Sequence, residues 1–167
     1  YSAAAFATKH EDAIYFSKRV TRAVPDGGPI EAHTDLVKKL DYECELAVVL
    51  GRDARDVPAG QTRDYIFGYT ILNDVSARDV QTAHKQWYFG KSLDGFTPIG
   101  PCIVTADAFA DYPPRLGIRS FVNGEKRQDS NTALQIFDID HVIAELSQGM
   151  TLKAGTIIAT GTPAGVG

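Results

Sequence analysis

A mostly β, α+β fold is what the sequence predicts, on three observations. Short apolar runs of strand length recur along the chain, Gly- and Pro-rich turns separate them, and few stretches have the length and period of a helix. Residues 1–24 begin Ala-rich and pass into an aromatic run at Tyr15 and Phe16, read as a brief helix or lid-like loop followed by a strand. Pro25-Asp26-Gly27-Gly28-Pro29 is a turn, because proline fixes φ and glycine admits positive φ. Residues 43–50 alternate as a strand, with Glu43, Glu45, Ala47 and Val49 on one face and Tyr42, Cys44, Leu46, Val48 and Leu50 on the other. Gly51 ends that strand, residues 52–62 form a polar excursion, and residues 65–72 form a second strand ending at Asn73-Asp74. Ser76-Ala77-Arg78-Asp79 has the form of a helix start, Ser76 capping the Asp79 amide, with the helix running to about Gln86. Residues 90–100 read as loop, 103–105 and 116–122 as strands, and Asn123-Gly124 as a hairpin turn. A two-turn helix over 139–146, closed at Gly149, precedes a last strand over 156–160 and a glycine loop.

The 167 residues fit a single domain, long enough to bury about two thirds of the surface of the unfolded chain. Within 1–167 we separate a lid-like segment, 1–24, from a core at 41–167, and expect sequence to be missing at both ends. A formal charge of -4 with no concentrated basic stretch gives no reason to expect nucleic acid. No run is long and apolar enough to suggest a membrane span. Cys44 and Cys102 lack metal or redox spacing and read as buried, reduced thiols of a cytoplasmic protein. The short signatures of dinucleotide, nucleotide, zinc-protease and serine-hydrolase chemistry are absent.

Glu43 and Glu45 need explaining, because two carboxylates on one strand face repel each other and lose hydration if buried. A hard divalent cation removes both costs; a solvated sheet edge is the alternative. Asp74 offers a third oxygen where a strand meets a loop, unless it only caps the turn. Three carboxylates suit Mg²⁺ or Mn²⁺, whereas zinc more often recruits His or Cys. Arg78 offers a planar fork to a carboxylate, and Lys91, beside Gly90, a point charge for an enolate oxygen. Either could equally be a surface residue. Gln81 shares the helix face of Arg78, and its amide could meet an oxo group. Residues 157–165 have the composition of an anion cradle, in which backbone amides and two hydroxyls hold a carboxylate, or of a plain strand-to-loop turn. His84, Gln86 and Trp87 are candidates to line the same cleft.

Taken in order, Asp41-Tyr42-Glu43-Cys44-Glu45, Asn73-Asp74-Val75-Ser76-Ala77-Arg78-Asp79, Gly90-Lys91-Ser92-Leu93-Asp94, Val122-Asn123-Gly124 with Gln128-Asp129-Ser130-Asn131-Thr132, and Thr160-Gly161-Thr162-Pro163-Ala164-Gly165 form a series of five motifs. The series resembles the catalytic domain of the fumarylacetoacetate hydrolase family. The resemblance implies a mixed, rolled β-sandwich, a homodimer, and Mg²⁺ or Mn²⁺ on Glu43, Glu45 and Asp74. It also implies a small oxo-acid substrate met by Arg78, Gln81, Lys91 and Thr162, with Lys91 catalytic. Family reactions include C–C hydrolysis of acylpyruvates, decarboxylation of oxaloacetate and isomerisation of dienoic dioates, linked by a shared enolate.

Hydrolysis of an acylpyruvate-like dioxo acid is the first expectation. An isomerase or decarboxylase of an unsaturated 2-oxo or 2-hydroxy dicarboxylic acid is the second, and an inactive metal-binding homolog the third. The chain departs from the family at its start: if Tyr1 aligns with the usual Tyr, Ala4 and Ala7 stand where a His and a Glu activate water. Three readings follow: the base is absent, His10 and Glu11 replace it, or lid residues lie outside the sequence.

Overall fold

The computed structural model describes residues 12–167. Its centre is a four-stranded antiparallel sheet in the order β5-β3-β2-β8, made of β2 (Cys44–Leu50), β3 (Ile66–Asn73), β5 (Ile99–Thr105) and β8 (Ile157–Ala159). Beside it, β1 (Leu40–Asp41) pairs with β4 (Ser76–Ala77), and β6 (Gly117–Val122) forms a hairpin with β7 (Glu125–Asn131). Among the described residues there are three α-helices: α1 (Arg78–His84), α2 (Trp87–Lys91) and α3 (Ile139–Leu146). Antiparallel sheets with short helices agree with the expected α+β class.

Every residue of β2 is buried, so alternation does not divide it into a wet and a dry face. Leu46, Val48 and Leu50 enter a core with Ile66, Tyr69, Ile139, Ile143 and Leu152. The Cys44 end is covered by the β6–β7 hairpin, where the Cys44 thiol donates to the Arg119 carbonyl. A second, smaller cluster of Val37, Val75, Ala77, Val80 and Phe96 packs where β4 meets α1. The ends of β2 and β3 carry the carboxylates.

Helix α3 occupies the expected 139–146. Asp138 caps it by accepting from the His141 amide, and Ile139 and Ile143 turn into the core. It closes on the Ser147 amide, two residues before Gly149, whose φ is +68°. Asn123 and Gly124 both have positive φ, as a two-residue type I′ hairpin requires.

Five expectations change. The helix expected at Ser76 starts two residues later, because residues 76–77 pair with β1; Ser76 Oγ donates to the Asp74 carbonyl instead of capping. Strand β5 starts at Ile99, not 103, because an edge strand tolerates Pro101, and α2 occupies residues first read as the start of a loop. Residues 12–24 contain neither helix nor strand, only a bridge from Val24 to Pro98; residues 1–11 lie outside the described chain. Cys102 is exposed, not buried, because β5 lies at the sheet edge. No described helix is long and apolar enough to cross a membrane.

Candidate metal centre

The register of β2 on β3 builds the site. Cys44 pairs with Asn73, so Glu43, just before β2, lies beside Asp74, just after β3. The Asp74 amide donates to the Glu43 carbonyl at 2.8 Å, and the Glu43 amide donates to Asn73 Oδ1 at 3.0 Å. Glu45 follows two residues along β2. Carboxylate oxygens of Glu43, Glu45 and Asp74 lie within 4.8 Å of one another, and the residues are only 7%, 3% and 2% exposed. The solvated-edge reading of the two glutamates is therefore overturned.

Cations converge on this cluster. Lys91 Nζ, itself buried, donates to Glu43 Oε2 and Asp74 Oδ2, both at 2.7 Å. Gly90 makes that reach possible: a Cβ there would stand 2.7 Å from the Gln81 amide nitrogen and 2.9 Å from the Ala77 carbonyl oxygen, so only glycine lets α2 lie this close to α1. Arg78 spreads its guanidinium over two carboxylates, with Nη1 2.6 Å from Glu43 Oε1 and Nη2 2.7 Å from Asp41 Oδ2. Gln81 Oε1 accepts from Arg78 Nη1 at 3.2 Å, as their shared helix face predicts. Lys18 Nζ donates to Asp74 Oδ1 at 2.7 Å and to the Lys91 carbonyl, and burial lowers its pKa against the opposing pull of Asp74.

Glu45 is different. Its Oε2 accepts the Gly161 N–H at 2.6 Å. Burial, followed by the Asp74 and Glu43 carboxylates, pushes its pKa up to about 8, against the opposing Gly161 bond. Among the described residues four buried carboxylates, Asp41 included, face Lys18, Arg78 and Lys91, so the charges balance while Glu45 holds its proton and one negative charge is in excess once Glu45 ionises. A cluster of hard oxygen donors, one of them ready to lose its proton to a cation, fits Mg²⁺ or Mn²⁺ on Glu43, Glu45 and Asp74.

The glycine loop runs along β2, tether by tether. Thr160 N–H and Oγ1 donate to the Leu46 carbonyl, Thr162 Oγ1 donates to the Cys44 carbonyl at 3.0 Å, the Tyr42 hydroxyl donates to the Gly165 carbonyl, and the Gly167 amide donates to Asp41 Oδ1. The expected cradle therefore holds Glu45 through Gly161, while both threonine hydroxyls serve the backbone of β2. Trp87 comes near the site through Phe16, whose ring packs edge-on against it at 5.2 Å and lies 5.4 Å from Lys91 Nζ. His84 instead packs on Phe89. His10 and Glu11 lie outside the described residues.

Sequence reasoning missed Lys18 and Asp41. Asp41 carried a readable signal, since Asp41, Glu43 and Glu45 repeat acidic groups at a spacing of two; Lys18 was visible only as part of a basic stretch with Arg19 and Arg22.

A β-rich domain whose strand ends gather three buried carboxylates has a cluster that could hold a divalent cation. The chain belongs to the fumarylacetoacetate hydrolase family: the model of the fumarylacetoacetate (FAA) hydrolase C-terminal region matches residues 2–167. Oxaloacetate tautomerase YisK of Bacillus subtilis is 45% identical over 157 residues, 94% of this chain and 52% of that protein. Fumarylacetoacetate hydrolase from psychrophilic Exiguobacterium antarcticum superposes with a TM-score of 0.80 at 52% identity, over 83% of this chain and 50% of that one. Fumarylpyruvate hydrolase from Pseudomonas aeruginosa, solved in complex with Mn²⁺ and pyruvate, superposes with a TM-score of 0.78 at 31% identity, over 87% of this chain and 64% of that one. The chain spans about half the length of the curated relatives it matches.

Proposed function

We propose that this site acts on a small 2-oxo or 2-hydroxy dicarboxylic acid, interconverting its enol and keto forms or releasing carbon dioxide from it. The observation that carries the reading is the charge of the cluster. With Glu45 ionised, a divalent cation on Glu43, Glu45 and Asp74 turns one excess negative charge into one positive charge, which one carboxylate of the acid neutralises. The similarity to an oxaloacetate tautomerase supports the same substrate class. When bound, Mg²⁺ or Mn²⁺ supplies Lewis acidity toward the ligated oxygens of the acid. Lys91 keeps a buried positive charge where an enolate oxygen gains negative charge, Arg78 and Gln81 orient the acid, and the Phe16 ring shields the ammonium from water.

The test is a panel of oxaloacetate, a hepta-2,4-diene-1,7-dioate and an acylpyruvate, each with Mg²⁺ or Mn²⁺. Enol absorbance and pyruvate release are followed separately. Metal-dependent enol loss or decarboxylation of a dicarboxylate is expected. Turnover confined to acylpyruvate, with a water oxygen entering the product acid, refutes the proposal in favour of C–C hydrolysis.

That second reading is favoured by the fumarylpyruvate hydrolase likeness. It requires a base, for which His10 beside Glu11 is the candidate; His10→Ala then lowers acylpyruvate turnover at least about tenfold, and equal turnover removes His10 from the mechanism. The homodimer belongs to the proposal as well, supported by Phe67, Ile71 and Ile103 standing exposed on β3 and β5. Light scattering that reads a monomer refutes it.

A further inference from the structure

The side chain of Gln128, on β7, is wholly buried, and each of its polar positions is engaged. Oε1 accepts from the Cys44 amide at 3.1 Å and from Ser120 Oγ at 2.9 Å. Nε2 donates to Thr162 Oγ1 at 2.7 Å and to the Pro163 carbonyl at 2.8 Å. A primary amide offers two acceptor and two donor places, so this set is complete and fixes the orientation of the group. One side chain from a largely exposed hairpin thus fastens β2, β6 and the glycine loop together.

The hydroxyl of Thr162 carries one hydrogen, and that hydrogen goes to the Cys44 carbonyl. By donating to the same oxygen, Gln128 locks the hydroxyl toward β2 and fixes the side chain of Thr162, the residue after the Gly161 amide that holds Glu45. The preceding residues are held without it, since Thr160 is tethered to Leu46 and Gly161 to Glu45. Gln128 therefore governs the loop beyond Gly161; at β2 it holds only the Cys44 amide, while the Glu43 carboxylate is held by Lys91 and Arg78 and that of Glu45 by the Gly161 amide.

We propose that Gln128 is a positioning residue for the substrate end of the site. Held by its amide, Thr162 and Pro163 keep a fixed surface toward the carboxylate of the bound oxo-acid. The proposal rests on the oxo-acid reading above, and its signature is a split between two affinities. Displacing the loop weakens acid binding and spares the metal.

The probes are Mn²⁺ and pyruvate, titrated by calorimetry into the wild type, Gln128→Met, Thr162→Val and the double variant, with thermal melts as the check on folding. Gln128→Met has similar length and no charge, and cannot make the four bonds. It is expected to bind Mn²⁺ within about threefold of the wild type, and pyruvate, on the Mn²⁺-loaded protein, at least about tenfold more weakly, the scale of one lost hydrogen bond. Thr162→Val is expected to show the same split, with the double variant within about threefold of the weaker single, because both changes break one linkage.

Unchanged pyruvate affinity in Gln128→Met, an equal fall in both affinities, or fully additive losses overturns the proposal. If Gln128→Met does not melt cooperatively, Gln128→Glu replaces it, retaining the acceptor bonds to Cys44 and Ser120; its expected split is the same. Should neither fold, unchanged pyruvate affinity in Thr162→Val overturns the proposal, and a selective loss there supports it. A wild type that binds Mn²⁺ but no pyruvate refutes the oxo-acid reading and this proposal with it, an outcome distinct from any in which only the variants differ.

Discussion

Replacing Gly90 by alanine sets two effects of opposite sign against each other. In a helix interior the change normally stabilises by about 1 kcal/mol, because alanine restricts the unfolded chain and favours the helix. Here the new Cβ meets the Gln81 amide nitrogen at 2.7 Å and the Ala77 carbonyl oxygen at 2.9 Å, both backbone atoms that cannot swing aside. Restoring ordinary contact near 3.4 Å requires α2 to withdraw by about 0.7 Å. Overpacking of this kind costs about 1–3 kcal/mol. The same withdrawal stretches the Lys91 bonds to Glu43 and Asp74 from 2.7 Å toward about 3.4 Å, beyond the usual length of a charge-assisted bond. We expect Gly90→Ala to show a net loss of about 1 kcal/mol in urea unfolding of the metal-free protein, overpacking less the helix gain, and to lower turnover of the best substrate in the panel. A variant as stable as the wild type, or more so, would falsify the close-approach argument, since propensity alone predicts a gain.

Three further outcomes are expected. Glu45→Gln abolishes high-affinity Mn²⁺ binding in calorimetry while the fold persists. Because the folded-state pKa of Glu45 is raised from 4.5 to about 8, its contribution to stability is full below about pH 4.5 and is lost as pH rises through about 8. The metal-free wild type should therefore lose stability relative to Glu45→Gln over that window; a constant difference in melting temperature refutes it. Arg78→Ala raises the Michaelis constant and also destabilises by about 3–5 kcal/mol, because Asp41 is left as a buried carboxylate without its cation. Urea unfolding checks this, and a loss confined to the Michaelis constant shows that Asp41 does not depend on Arg78. Ile143→Ala, a fully buried truncation remote from the carboxylates, costs about 2–5 kcal/mol and leaves Mn²⁺ affinity unchanged; a tighter or weaker metal site would show that α3 supports it.

The carboxylate cluster was legible because its chemistry is anomalous for its positions: acids inside an apolar strand, and an Asp where a strand stops. Antiparallel pairing then had only to bring Asn73 opposite Cys44. Helix α3 was legible because its apolar spacing and its Asp138 cap agree. Ser76 misled for the opposite reason, since its local capping pattern lost to the pairing of β1 with β4, a contact between residues far apart in sequence. Lys18 was invisible because residues 12–24 follow no regular period, so nothing in their spacing shows which side chain turns inward. The bonds of Gln128 belong to the same class: a buried amide on an exposed hairpin is known only by what folds over it.

The arrangement of Lys18, Arg78 and Lys91 around four carboxylates also couples the proposed metal to the proposed acid. On the proposed function, the pocket without a cation has no net positive charge to draw an anion, and with one it has. Metal and acid therefore strengthen each other's binding by the same factor, as linkage requires. Scarcity of the divalent ion then acts as a gate, weakening the hold on the acid even when the acid is abundant.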